Sequence, residues 1–289
     1  MTHPTPPNDA PVGIFDSGVG GLSVLRHIGA QLPHEHLLYF ADSGFAPYGD
    51  KPESVVVERV LSIAAYLATH GVKALVVACN TATVAAVRTL RARYPDMPIV
   101  GVEPGLKPAA AATRNGKVGV LATERTLRGA KFLDLRDQIH EATGAEFLLQ
   151  PCVGLADQIE FGELDSQETA RMLERFIHPL LEAGADTLVL GCTHYPLVQA
   201  SIERVLAQAG KPDVCLIDTG DAVARQLARL LETGGLLREG GGAPASLTGF
   251  TSASSTALRA AFTSLIGVDP PVHEVEIAFP AGYEKSARI

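Results

Sequence analysis

Short apolar runs alternate along this chain with longer stretches of helical period. Residues 12–15, 37–41, 74–79, 99–102, 117–122, 146–150, 187–192 and 214–218 predict strands, and intervening stretches such as 54–70 and 166–183 predict helices. Most of the strand runs are rich in leucine or β-branched residues and lack a strict apolar–polar alternation. That is the pattern of strands covered on both faces, as in a parallel sheet. The βαβα rhythm therefore predicts an α/β fold of mostly parallel sheets flanked by helices. In such folds ligands sit beyond the carboxyl ends of the strands, and functional residues are to be sought there.

Two segments recur in the same order. Val12-Gly-Ile-Phe-Asp-Ser is echoed by Val118-Gly-Val-Leu-Ala-Thr, and Val72-Lys-Ala-Leu-Val-Val-Ala-Cys-Asn-Thr by Ala185-Asp-Thr-Leu-Val-Leu-Gly-Cys-Thr-His. The echoes predict two related α/β lobes with a cleft between them. The Pro/Gly-rich segment from Gly101 to Pro108 reads as a crossing between lobes, and Gly210-Lys-Pro-Asp213 as the return. Beyond the return, the strand at 214–218, a helix through Leu231, and further strands at 247–252 and 272–277 after the glycines at 240–242 complete the first lobe. The expected division is thus a disordered tail over 1–11, a discontinuous first lobe over 12–104 plus 213–289, and a second lobe over 105–212.

Composition narrows the function classes. A chain of 289 residues, 46% apolar and 19% charged, fits two globular domains of roughly 150 residues each. Aromatics are only 6% and tryptophan is absent, which leaves little for stacking on nucleic-acid bases. A net charge of −8 opposes binding to phosphate backbones or anionic lipid. No apolar run nears the ~20 residues of a membrane span, and the polar, proline-rich start lacks the pattern of a secretory signal. A cytoplasmic protein is expected, with no nucleic acid and no membrane as partner.

The four cysteines, Cys79, Cys152, Cys192 and Cys215, are then free thiols in a reducing compartment. None forms a C-x-x-C pair and the histidines form no H-x-x-x-H pair, so no metal site is expected. Cys79-Asn80-Thr81-Ala82 stands where an apolar strand gives way to a helix, and Cys192-Thr193-His194-Tyr195-Pro196 stands in the echoed setting. A thiol at a helix N-terminus is drawn toward thiolate by the helix dipole and its free N–H groups. Those groups, with the Asn80 amide and the Thr81 and Thr193 hydroxyls, can hold a carboxylate. A buried cysteine packing at a strand end is the plain alternative for either one alone. Two at matched places favour function. Facing each other across a cleft, one thiolate could take a proton from a carbon stereocentre while the opposite thiol returns one to the other face. A cysteine hydrolase or acyl transferase with His194 as base, or a binding protein with no catalysis, remain open on these residues.

Asp16-Ser17-Gly18-Val19-Gly20-Gly21 follows the first strand. It is neither a Walker A loop nor G-x-G-x-x-G, and an ordinary helix cap by Asp16 or Ser17 is the plain reading. It nonetheless brings Asp16 and Ser17 to the sheet edge that carries Cys79, where an Asp could assist a thiol or pair with an ammonium group. Pro47-Tyr48-Gly49 reads as a turn. His194 stands two residues past Cys192, Glu160 lies in a helical stretch, and Cys152 and Cys215 read as packing residues.

Together, Asp16-Ser17-Gly-Val-Gly-Gly, Pro47-Tyr48-Gly49, Cys79-Asn80-Thr81-Ala82, Gly101-Val-Glu-Pro and Gly191-Cys192-Thr193-His194-Tyr-Pro resemble the glutamate racemases of the cofactor-independent aspartate/glutamate racemase superfamily. The resemblance runs in order from about Pro11 to beyond Asp218. It implies two pseudo-symmetric lobes with the active site between them, and Cys79 and Cys192 as the two acid/base residues. It implies substrate contacts from Asp16, Ser17, Tyr48, Gly49, Asn80, Thr81, Thr193 and His194. Asp16 would support Cys79, and His194 with Glu160 would support Cys192. Glu160 is placed by its distance from Cys152, in a segment that lacks the family's usual proline after the cysteine. The implied reaction interconverts L- and D-glutamate without a cofactor, supplies D-glutamate for peptidoglycan, and is carried out by a homodimer. Aspartate is the alternative substrate. In keeping with this, the strand ends bearing the two cysteines offer no lysine for pyridoxal chemistry. The motif segments around Asp16, Cys79 and Cys192 also carry no Lys or Arg, so N–H groups and hydroxyls would hold the substrate carboxylates.

Overall fold

The structure, a computed structural model, describes residues 8–240 and 244–278. Six parallel strands form one sheet: β1 (Val12–Asp16), β2 (Leu37–Ala41), β3 (Ala74–Val77), β4 (Ile99–Gly101), β9 (Leu247–Thr251) and β10 (Val272–Glu274), in the order β10-β9-β2-β1-β3-β4. Four more form a second parallel sheet: β5 (Lys117–Ala122), β6 (Glu146–Pro151), β7 (Thr187–Gly191) and β8 (Cys215–Ile217), in the order β6-β5-β7-β8.

The unbroken apolar character of the strands has a direct cause. In β1 all five residues are buried. Val12 and Ile14 join Ala74 and Val76 in a core covered by helices Leu22–Gln31 and Gly220–Thr233. Phe15, with Leu75 and Val77, joins a second core under helices Glu53–Thr69 and Asn80–Arg93. Successive side chains point to opposite faces, and both faces are dry. The second sheet repeats the arrangement: Leu121, Leu188 and Leu190 lie in one core, and Val118, Val120 and Val189 in the other.

Two expectations are corrected. The strand expected at 214–218 does not belong to the first lobe, because Cys215 pairs with Thr187 and Ile217 with Val189 at the edge of the second sheet. The chain returns only after β8, when helix Gly220–Thr233 packs on helix Leu22–Gln31. The boundary at 212/213 therefore falls a few residues early. An apolar run marks a strand without saying which sheet will pair with it. β9 and β10 do return to the first sheet, where β9 pairs with β2.

The second correction concerns the tail. Residues 1–7, like 241–243 and 279–289, lie outside the described residues, but the chain ahead of Val12 is already engaged at residue 8. Buried Lys73 pairs with Glu35 at 2.5 Å and donates to the Asn8 carbonyl at 2.6 Å, and Arg238 reaches Asp9 at 2.6 Å. The two Lys73 bonds satisfy a buried ammonium that would otherwise be costly.

Candidate active site

The carboxyl ends of β1, β3, β5 and β7 converge on a cavity of about 330 Å³, the size of a small-molecule site. Its lining draws on both lobes: Ser17, Tyr48, Gly49, Cys79, Asn80 and Thr81 from the first, and Thr123, Cys152, Glu160, Cys192, Thr193 and His194 from the second. Of the eleven residues expected in the site, Asp16 alone is absent from the lining, and it lies buried just behind it. No Lys or Arg lines the cavity. Among the described residues no group of His, Cys, Asp or Glu gathers to hold a metal, and no helix is long and apolar enough to cross a membrane.

Cys79 follows β3 and caps helix Asn80–Arg93, accepting from the Ala82 N–H at 3.5 Å and donating to Ser17 Oγ at 3.5 Å. The expected tilt toward thiolate does not prevail. Burial, followed by the nearby Asp16 carboxylate, pushes the Cys79 thiol up to about 12, against the smaller opposing pull of Ser17 and the Ala82 N–H.

Cys192 directly follows β7, but no helix begins at its sulfur; a 3₁₀ turn, Tyr195–Val198, precedes helix Gln199–Gln208. The sulfur instead lies 3.7 Å from His194 Nδ1, and His194 Nε2 meets Glu160 Oε2 at 2.8 Å. Burial alone would lower the imidazole's pKa. Hydrogen bonds to the Cys192 sulfur and the Glu160 carboxylate outweigh it and hold His194 well above the ordinary histidine range. Burial likewise opposes charge on Glu160, yet the His194 hydrogen bond and charge, with Ser43 and the Val19 N–H, bring it below the usual carboxylate range.

Lobe 1 supplies the seat for this pair. Val19 N–H donates to Glu160 Oε2 at 2.8 Å and Ser43 Oγ to Oε1 at 2.6 Å. A Cβ on Gly18 would strike the Glu160 carboxylate, and one on Gly20 the His194 ring. The glycine-rich turn is therefore not the helix cap that the plain reading offered. Gly21 stands at the cap position of helix Leu22–Gln31 with no side-chain cap bond. Asp16 instead accepts from Gly18 N–H at 3.0 Å and from Thr193 Oγ1 at 3.1 Å, while Ser23 Oγ donates to the Thr193 carbonyl at 2.9 Å. Burial raises the Asp16 carboxyl. One oxygen thus binds its own turn, the other the opposite lobe's loop, and the carboxylate reaches Cys79 through its charge.

The remaining residues divide by what occupies their polar atoms. Asn80 is buried, and neither its Nδ2 nor its Oδ1 has a partner in the protein. Buried polar atoms are rarely left so, and this amide sits in the cavity wall. Thr81 Oγ1 lies 3.1 Å from Thr123 Oγ1, across the cleft. Tyr48 contributes to the wall but donates its hydroxyl to Asp42 at 2.6 Å. Asp42 is also gripped by buried Arg59, through Nε at 2.8 Å and Nη2 at 2.6 Å, and Arg59 Nη1 donates to the Ile277 and Ala278 carbonyls.

Sequence reasoning missed Thr123, Ser43 and the place of Cys152. Thr123 was within reach, since the internal echo sets it opposite Ser17. Ser43 carried no local signal. Cys152, read as packing, is buried but lines the cavity, and burial pushes its thiol up to about 12. Cys215 lies half-buried in β8.

The family model described as Asp/Glu/Hydantoin racemase matches residues 21–227, most of the chain. The chain belongs to that family. A glutamate racemase of Pseudomonas paraeruginosa is 54% identical over 231 residues, covering 80% of this chain and 85% of that protein. Among solved structures, the glutamate racemase isoform RacE1 of Bacillus anthracis superposes with a TM-score of 0.82 at 30% identity, covering 93% of this chain and 98% of that one. The Escherichia coli glutamate racemase, solved with L-glutamate and the activator UDP-MurNAc-ala, superposes at 0.79 with 33% identity, covering 91% and 97%. The expected fold class is thereby established: two lobes of parallel sheet flanked by helices, as in these racemases.

Proposed function

We propose that the protein interconverts L- and D-glutamate by proton exchange at Cα between Cys79 and Cys192. The observation that carries this reading is that Cys79 from one lobe and Cys192 from the other line a single cavity that offers an unpartnered Asn80 amide. In one direction the Cys192 thiolate takes the Cα proton and the Cys79 thiol gives its own to the opposite face. In the other direction the roles exchange. A buried thiol held up at about 12 carries its proton at neutral pH and so suits the acid of the pair. Cys192, beside a protonated imidazole, suits the base.

A proton alpha to a carboxylate is far less acidic than a thiol, so the developing carbanion needs fixed donors as well. The unpartnered Asn80 amide and the Thr81 and Thr123 hydroxyls lie in the cavity wall to supply them without a Lys or Arg. Glutamate as substrate rests on the named relatives. The family resemblance also supports D-glutamate supply for peptidoglycan, a cytoplasmic site and a homodimer. The test is incubation of L-glutamate in deuterated water with no added cofactor. Deuterium entering Cα with decay of optical rotation is expected, and an unlabelled, optically stable substrate overturns the reading.

A further inference from the structure

We propose that Ser43, across the cleft from Glu160, is a positioning residue of the Cys192 half of the site: it holds the Glu160 carboxylate against His194, the imidazole beside the Cys192 sulfur. This rests on the two-thiol reading above. Glu160 reaches His194 from the second lobe with Oε2, but both of its oxygens are also held by the first. The Val19 N–H takes Oε2 and the Ser43 hydroxyl takes Oε1. Ser43 lies two residues past the end of β2 and does not line the cavity, so it acts on the chemistry only through Glu160. Because Gly18 and Gly20 leave room for the carboxylate and the ring, the pair lies directly on the first lobe's backbone. The proton partner of Cys192 is therefore built from both lobes, whereas Cys79 takes its two hydrogen bonds from its own.

The other titratable groups around the pair are Asp16 from β1, Tyr39 from β2, the two thiols, and Asp157 one turn before Glu160. Asp16 and Glu160 disfavour each other's charge, and His194 favours both. Removing a donor from Glu160 therefore lets its carboxyl rise and weakens its hold on the imidazolium, whose pKa falls. The form with Glu160 ionised and His194 protonated then occupies a narrower pH range.

L- and D-glutamate are mirror images of equal free energy, so kcat/KM must change by the same factor in both directions, and the direction of reaction cannot locate the defect. The pH profile can. In Ser43→Ala the acid limb of kcat/KM should move up and the alkaline limb down, each by roughly one pH unit, the scale of one hydrogen bond to a charge. Ser43→Thr keeps the hydroxyl and should return both limbs. In parallel, alkylation by iodoacetamide at neutral pH, read by mass spectrometry of each cysteine peptide, should slow about tenfold at Cys192 relative to Cys79 in Ser43→Ala. A lower rate with unmoved limbs, or equal slowing of both thiols, overturns the proposal. The alkylation readout needs no turnover, so it decides the role of Ser43 even if glutamate is not the substrate.

Discussion

The two thiols occupy equivalent places on the backbone, each just past a central strand of its sheet, yet their surroundings differ in kind. Cys79 sits in a neutral setting of one hydroxyl and one amide, with burial and the Asp16 carboxylate opposing its ionisation. Cys192 sits beside an imidazole that is itself braced by a buried carboxylate. The backbone repeat brings one of these two thiols to the cavity from each lobe, and the side chains that depart from the repeat give them different neighbours. A helix N-terminus alone does not make a thiolate when the sulfur is fully buried, whereas an ion pair at its side can.

Removing either sulfur should have the largest effect and should abolish the distinction altogether. Cys79→Ser and Cys192→Ser are each expected to lower racemisation by about a thousandfold or more, within the range assigned to a general acid or base, as measured by polarimetry. A variant that keeps substantial turnover would point to a single-nucleophile enzyme instead. Gly20→Ala is the sharper probe, because the atoms nearest its Cβ would be those of the His194 ring. Misplacing a catalytic group by about an ångström can cost roughly a hundredfold. Racemisation should fall on that scale with circular dichroism unchanged, and Cys192 alkylation should slow while that of Cys79 does not. Asn80→Ala should act more gently, on the wall shared by both halves. We expect kcat/KM to fall about tenfold, with thermal stability equal or slightly raised because two unpaired buried atoms are removed. A marked loss of stability would mean that the amide serves the fold rather than the substrate.

Much of this was legible in the sequence, and what was not has a common cause. The strands could be read because a doubly covered sheet forces runs such as Leu75–Val77 and Leu188–Leu190 to be apolar throughout. The two cysteines stood out because the runs ended on them twice, in echoing segments. The partner of Glu160 did not, because Ser43 lies 117 positions away and nothing in either neighbourhood marks the contact. The same holds for β8, whose side chains fit either sheet until pairing is known. Burial of Cys79 was invisible for a related reason: the pull of a helix end is local, whereas desolvation is set by every element packed above it.

The grip of Arg59 reaches from Asp42, which anchors the Tyr48 hydroxyl, to the backbone carbonyls of Ile277 and Ala278. The segment at Ile277 and Ala278 is thereby tethered to the wall of the cavity. A deletion that ends the chain ahead of Ile277 would strip two acceptors from a buried guanidinium and loosen Tyr48, although neither Ile277 nor Ala278 lines the cavity. For anyone engineering this enzyme, a change at Ile277 or Ala278 is also a change to what holds the Tyr48 wall of the cavity.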